Sequence, residues 1–207
     1  MSSEHKKAKR PTPEEIEIKG TLVNNLNCQT LGKQGTFGQH TCLPTELIKN
    51  GGFEAAGIFG EYADWDESLD NIETKCLNFP YEGVQSAELK SIGTVAPKTK
   101  TAVLAQSVTV PPGCFLLLSF ADCFMRAGKG FEFLRIRASV FYDTTNLINV
   151  EIIYNSFQAE QCFIYHQRVS DNPVPSNVSS VTVQFLVEMK DKEDTSWLLD
   201  GVSLRVV

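Results

Sequence analysis

Over much of this chain hydrophobic and polar residues alternate with a period of two, the spacing of a strand that buries one face. The clearest run is Val181, Val183, Phe185, Val187 and Met189, with Thr182, Gln184 and Glu188 between them. Residues 101–110 alternate in the same way and stop at Pro111-Pro112-Gly113, a strong turn signal. Residues 114–120 are apolar on both sides, as a central strand covered on both faces requires. Further strands are predicted at 133–142, 149–154, 162–168 and 197–207, separated by Asn, Gly, Pro and Asp. No segment sustains a helical period with caps. The predicted fold class is therefore all-β: an antiparallel β-sandwich of jelly-roll type with an extended N-terminal arm.

The arm is set apart by composition. Residues 1–14 carry Lys6, Lys7, Lys9 and Arg10 with two prolines and no core-forming residue, which reads as a flexible basic tail. Residues 15–45 form an arm with one strand, in which Ile16, Ile18 and Leu22 share a side, followed by a loop bracketed by Cys28 and Cys42. The sandwich is expected over residues 46–207, with the acidic stretch 61–71 (Asp64, Asp66, Glu67, Asp70) as a solvated loop.

Composition narrows the functional classes. The chain has 207 residues, 42% of them hydrophobic, and a net charge of −6. A nucleic-acid partner is not expected, because phosphate binding needs clustered Lys and Arg that the body lacks. The longest nearly apolar run, 113–121, is far short of the ~20 residues of a membrane helix, so no membrane span is expected. No apolar stretch follows the basic N-terminus, so the expectation is a chain made in the cytoplasm without a classical signal peptide. Six cysteines (Cys28, Cys42, Cys76, Cys114, Cys123, Cys162) include no C-x-x-C pair, and the three histidines are poorly spaced for zinc. Buried thiols, disulfides within the chain and disulfides between chains all fit this count.

Catalytic signatures are missing from the sequence. There is no G-x-S-x-G elbow and no recognisable Cys-His arrangement. Carboxylates close together on one loop do not define the fixed separation that glycoside hydrolysis demands. The chain is accordingly expected not to be an enzyme. Sugar binding asks instead for exposed aromatic rings, whose faces stack on pyranose C–H groups, with polar groups beside them. Trp197 and Tyr62 are the candidate ligand aromatics; Tyr81, Tyr154 and Tyr165 could add to them, but nothing in the sequence groups them, and Trp65 is expected in the core.

Two terminal segments carry a resemblance. Glu46-Leu47-Ile48-Lys49-Asn50-Gly51-Gly52-Phe53-Glu54, followed by Trp65, and Trp197-Leu198-Leu199-Asp200-Gly201-Val202-Ser203-Leu204 look like the first and last strands of carbohydrate-binding-module-type jelly rolls. The middle of the chain, through Ser86-Ala87-Glu88-Leu89, residues 104–113, Ala138-Ser139-Val140-Phe141-Tyr142-Asp143 and residues 178–183, is similar to one family in particular. That family precedes collagen-like triple-helix repeats in spore- or cell-surface proteins of spore-forming Gram-positive bacteria. The chain departs from it in lacking a Gly-X-Y tract, in its additional arm, in Glu46 at the opening Asn and in Gly201 at the second Asp of the closing strand.

The resemblance implies a non-enzymatic structural subunit at the spore or cell surface, self-associating as a homo-oligomer or filament. Strand addition by residues 15–45 would carry the contact, with disulfides through Cys28 and Cys42 as candidate locks. The alternative is a carbohydrate-binding module for a surface glycan; other spore-surface proteins are further candidate partners. Sugar-binding relatives also imply a structural calcium ion held at Glu54 and Asp200, against the simpler role in which both accept hydrogen bonds. No other cofactor is expected.

Overall fold

The computed structural model of the protein describes residues 42–58, 60–159 and 163–207. Ten strands make up the body: β1 (Asp66–Asp70), β2 (Ile72–Leu77), β3 (Ser86–Ser91), β4 (Lys98–Thr109), β5 (Leu116–Arg126), β6 (Phe133–Tyr142), β7 (Thr145–Tyr154), β8 (Ile164–Val169), β9 (Ser180–Asp191) and β10 (Ser196–Val206). They form two five-stranded antiparallel sheets, sheet I in the order β1-β4-β9-β6-β7 and sheet II in the order β2-β3-β10-β5-β8. No helix among the described residues is long and apolar enough to cross a membrane.

The period-two pattern explains the packing. On β9 the odd positions from Val181 to Met189 are buried while the even ones are half-exposed. The same alternation on β4 and β6 turns Leu104, Ile136 and Val140 inward. Ala138 lies opposite Phe185 in the β6–β9 register, so a small side chain makes room for a large one. From sheet II, Phe120 meets the edge of Phe185 at a ring separation of 5.1 Å. β5 lies between β10 and β8 and is buried on both faces, as its continuous apolar run predicts.

Three strands escaped the sequence pattern, each for a physical reason. The acidic stretch expected as a loop contains β1, an edge strand paired with β4 from Asp66↔Ala105 to Asp70↔Thr101. Most of its side chains are exposed, so no buried face imprints an alternation, and its charges discourage edge-to-edge pairing. β2 and β3 read as polar because their hydrophilic side chains find partners inside the fold. Glu88 of β3 is 5% exposed, accepts from the Ser196 hydroxyl at 2.6 Å and pairs with Lys75 of β2 at 3.0 Å.

The two terminal segments lie side by side. Leu47 donates to Leu204 at 2.9 Å, Val206 to Thr45 at 3.2 Å and Val202 to Gly51 at 2.9 Å. Glu46 fastens this seam: its carboxylate accepts from the amides of Ile48 and Leu204, from the Ser203 hydroxyl and from Arg205 Nε. A Cβ on Gly51 would lie 1.9 Å from the Val202 carbonyl oxygen, so glycine is obligatory for this close approach. The bend that turns Phe53 inward is carried by Asn50 and Phe53 themselves, with φ of 49° and 56°, not by the glycine pair. Phe53 is fully buried between Tyr62 and Trp65, at ring separations of 5.1 and 5.4 Å, and this packing holds a bulky residue in the left-handed region.

Two buried polar clusters tie the layers together. At one end Lys100 of β4 and Asp191 of β9, both fully buried, form an ion pair at 2.8 Å. Lys100 also donates to the carbonyls of Ile92 and Lys192, while Asp191 accepts from the Ser91 hydroxyl and the Thr195 amide. In the second cluster the buried carboxylate of Asp122 accepts from Trp197 Nε1 at 2.7 Å and the Tyr154 hydroxyl at 2.8 Å, and its other oxygen lies 2.6 Å from His166 Nε2.

Candidate functional site

Several residues singled out from sequence are engaged in the interior. Trp197 is 0% exposed with its indole N–H on Asp122, and Tyr62 is 1% exposed with its hydroxyl within 3.0 Å of the Lys75 and Glu88 carbonyls. Neither ring offers a free face, so neither can stack on a sugar. Burial raises the Tyr62 phenol far above its ordinary range. Trp65 is also buried, donating its indole N–H to the Asn50 carbonyl. Cys42 is disulfide-bonded to Cys114 within the chain, so its sulfur is not available to lock a neighbouring chain. Cys76 is half-buried and Cys123 buried. Ile16, Ile18, Leu22, Cys28 and Cys162 lie outside the described residues.

Glu54 and Asp200 serve one loop, residues 78–85, which crosses the outer face of sheet II. Asp200 Oδ2 accepts from the amides of Tyr81 at 2.7 Å and Glu82 at 3.1 Å, and Oδ1 accepts from Gly201 at 2.7 Å. Glu54 Oε1 accepts from the amides of Val84 at 2.7 Å and Gln85 at 3.3 Å. The Gln85 side chain donates to the Phe53 carbonyl, and the Ser86 hydroxyl to the Phe79 carbonyl. Burial pushes the Asp200 carboxyl above the ordinary carboxylate range; the amides of Glu82, Gly201 and Tyr81 oppose the shift, and the charge of Glu82 adds to it. These oxygens are spent on backbone N–H groups, and among the described residues no group of three or more His, Cys, Asp or Glu converges. The donor set does not fit a calcium site; the carboxylates act as loop clamps.

The clamped loop presents an aromatic ledge. Phe79 and Tyr81 meet Phe163 and Tyr165, which enter and begin edge strand β8. Phe79 and Phe163 are nearly parallel (19°) at 6.0 Å, Tyr81 lies 5.8 Å from Phe163, and Tyr81 and Tyr165 are nearly parallel (18°) at 6.3 Å. Tyr81 and Tyr165 are 47% and 51% exposed, with Phe79 at 36%. Gly201 makes the arrangement possible: its φ is +57°, and a Cβ there would lie 3.3 Å from Tyr81 Cδ1 and 3.6 Å from Glu82 Oε1. A side chain at this position would be strained by the positive φ and would press on the Tyr81 ring. If Asp200 is replaced by alanine, the amides of Tyr81 and Glu82 should exchange with solvent roughly fivefold to a hundredfold faster, given about 1–3 kcal/mol for losing a buried acceptor. Hydrogen-exchange mass spectrometry of residues 78–85 reads this directly.

Sequence reasoning had Tyr81 and Tyr165 as ungrouped candidates and missed Phe79 and Phe163. The signal was a repeated spacing, Phe79-x-Tyr81 and Phe163-x-Tyr165, which puts both rings of each pair on one side of an extended segment.

Two other concavities are less suited to a sugar. A cleft of about 640 Å³ beside the 55–63 turn is lined by Tyr62, Trp65, Asp64, Asp66 and Glu67, but its aromatic rings are buried and both oxygens of Glu67 accept internal hydrogen bonds. A shallow depression of about 230 Å³ on sheet I gathers Arg137, Ser139, Asn146, Asn149 and Gln184. Arg137 is tied there to Glu188 at 3.0 Å, and no aromatic ring lines the depression.

This architecture is a jelly-roll β-sandwich. No protein-family model matches the sequence, and no curated protein matches it. Among solved structures the chain is similar to TmCBM61 in complex with β-1,4-galactotriose, at 17% identity and a TM-score of 0.54, covering 77% of this chain and 97% of that one. It is also similar to a Stig cyclase, Fisc from Fischerella sp. TAU, at 14% identity and a TM-score of 0.53, covering 80% and 98%. At such identities the likeness establishes the fold, and the same scaffold carries both a sugar-bound module and a cyclase.

Proposed function

We propose that this jelly roll is a non-enzymatic module that binds a glycan, with pyranose rings lying on the ledge of Phe79, Tyr81, Phe163 and Tyr165. The single observation behind this reading is that ledge: four aromatic rings from two distant segments, three exposed and Phe163 half-buried among them, held by a loop with four amide-to-carboxylate hydrogen bonds. A soluble protein gains nothing in stability by exposing such a cluster, whereas stacked sugar faces need a rigid aromatic surface with hydroxyl groups at its rim. Tyr81 and Tyr165 supply both ring and hydroxyl. Similarity in fold to TmCBM61, a galactotriose-bound structure, supports the reading. Self-assembly through the arm, the leading expectation from sequence, takes second place because its residues 16, 18, 22 and 28 lie outside the described ones.

A glycan array and pull-down on insoluble polysaccharides test the proposal. Tyr81→Ala and Tyr165→Ala should each weaken binding about tenfold, near 1.4 kcal/mol, while leaving the unfolding midpoint close to wild type because both rings are half-exposed. Unchanged binding by the double variant would remove the ledge from the function.

A further inference from the structure

We infer that Glu82 makes this ledge selective for glycans bearing free amino groups. The inference rests on the glycan-binding reading and names the ligand class of the same site. Tyr81 Cδ1 and Glu82 Oε1 flank one point above Gly201, at 3.3 and 3.6 Å, so the carboxylate stands beside the ring edge where a stacked sugar would project its substituents. Glu82 is exposed, and among the described residues it has no ion-pair partner. Most cations of the same sheet are otherwise engaged, Lys75 with Glu88, Lys90 with Asp194, Arg168 with Asp171 and Arg205 with Glu46, and Arg126 at the end of β5 lies within electrostatic reach of Asp194.

The surroundings reinforce the sign. Asp200 lies buried beneath the loop and Glu54 holds its other end, so the field around the Tyr81 ring is negative. The Glu82 amide donates to Asp200 at 3.1 Å, which keeps the two carboxylates near each other. An ammonium group that a stacked sugar projects past the ring edge gains from the carboxylate there. A uronate or sulfated sugar would meet repulsion from the same groups. Each exposed contact is modest, so discrimination of roughly threefold per engaged amine is expected, growing where several amines reach the ledge.

Titration calorimetry at low salt, at a pH where amines are protonated, decides the matter with three matched ligands: glucosamine hexamer, its fully N-acetylated counterpart and hexagalacturonate. The expected order has the amine form tightest, by about threefold or more, and the galacturonate weakest. In Glu82→Gln the amine and acetylated hexamers should bind alike, and added salt should shrink the wild-type preference. The backbone amide of residue 82 still reaches Asp200 in this variant, so the loop keeps its clamp. Equal binding of the amine and acetylated hexamers by wild type, or an amine preference that survives in Glu82→Gln, overturns the inference while leaving the ledge intact. If Tyr81→Ala and Tyr165→Ala bind every hexamer as wild type does, the ledge itself is at fault. A wild type that binds none of the three also overturns the inference, and the array then judges the wider reading alone.

Discussion

Asp191→Ala is expected to destabilise the fold by about 3–5 kcal/mol, measured as a shift in urea midpoint at constant slope. The reason is what remains. Lys100 is 0% exposed and would keep its charge in the interior with only the Ile92 and Lys192 carbonyls as company. Replacing both partners, Lys100→Met with Asp191→Leu, should recover much of the loss, because a buried pair stabilises little beyond an apolar one of similar volume. The pair also leaves a signature in pH. Burial alone would raise the Asp191 carboxyl, but the hydrogen bonds from Lys100, Ser91 and Thr195 outweigh it and hold the group below its usual value. A carboxyl depressed in the folded state contributes stability above its unfolded pKa of about 3.9 and loses it as pH falls through the folded value. The gap between wild type and Asp191→Asn should therefore be full at neutral pH and close in strong acid. A gap that widens on acidification would contradict this assignment.

Asp122→Ala carries the second large effect. It strips the acceptor from two fully or nearly fully buried donors, Trp197 Nε1–H and the Tyr154 hydroxyl, and releases His166. Each orphaned donor costs about 1–3 kcal/mol. The decisive comparison is with Tyr154→Phe. In wild type that change sacrifices a hydrogen bond, whereas in the Asp122→Ala background it removes a donor already lacking a partner and should cost little or even help. Denaturation of the four proteins of this cycle, followed by Trp197 fluorescence, gives the coupling. Strict additivity would mean the carboxylate does not bind the phenol. His166 adds a spatial consequence: its ring stacks on Phe120 at 4.9 Å, so the same carboxylate helps seat edge strand β8, from which Tyr165 projects.

How far the sequence reached depends on where its side chains ended up. β4, β6 and β9 were legible because each buries one face against apolar neighbours, so hydrophobicity alone records the pleat. β1 was hidden because an exposed edge strand has no reason to alternate, and β3 because Glu88 and Ser86 are buried yet polar, Glu88 partnered by Ser196 far along the chain and Ser86 by the nearby Phe79 carbonyl. The two terminal segments lie side by side, and Glu54 and Asp200, singled out from sequence for a calcium ion, anchor a loop. The two residues chosen as ligand aromatics failed for one shared reason. Large rings in a β-sandwich are worth most in the core, and Trp197 and Tyr62 find hydrogen-bond partners there. The ledge was illegible because its halves are separated by more than eighty positions and meet only once β8 joins β5 and the 78–85 loop folds across sheet II.

The Cys42–Cys114 bond joins positions 72 residues apart, and it lies just upstream of the seam in which Thr45, Leu47 and Gly51 pair with β10. A tug on the polypeptide ahead of Cys42 would otherwise peel that seam open from Thr45 one hydrogen bond at a time, as a zipper parts. With the sulfurs joined, the strain passes instead into the corner between β4 and β5, at the root of a strand buried on both faces. An oxidised domain of this build can therefore stay folded while hanging from its leading end, and a thiol reductant would lower the force at which it begins to unravel.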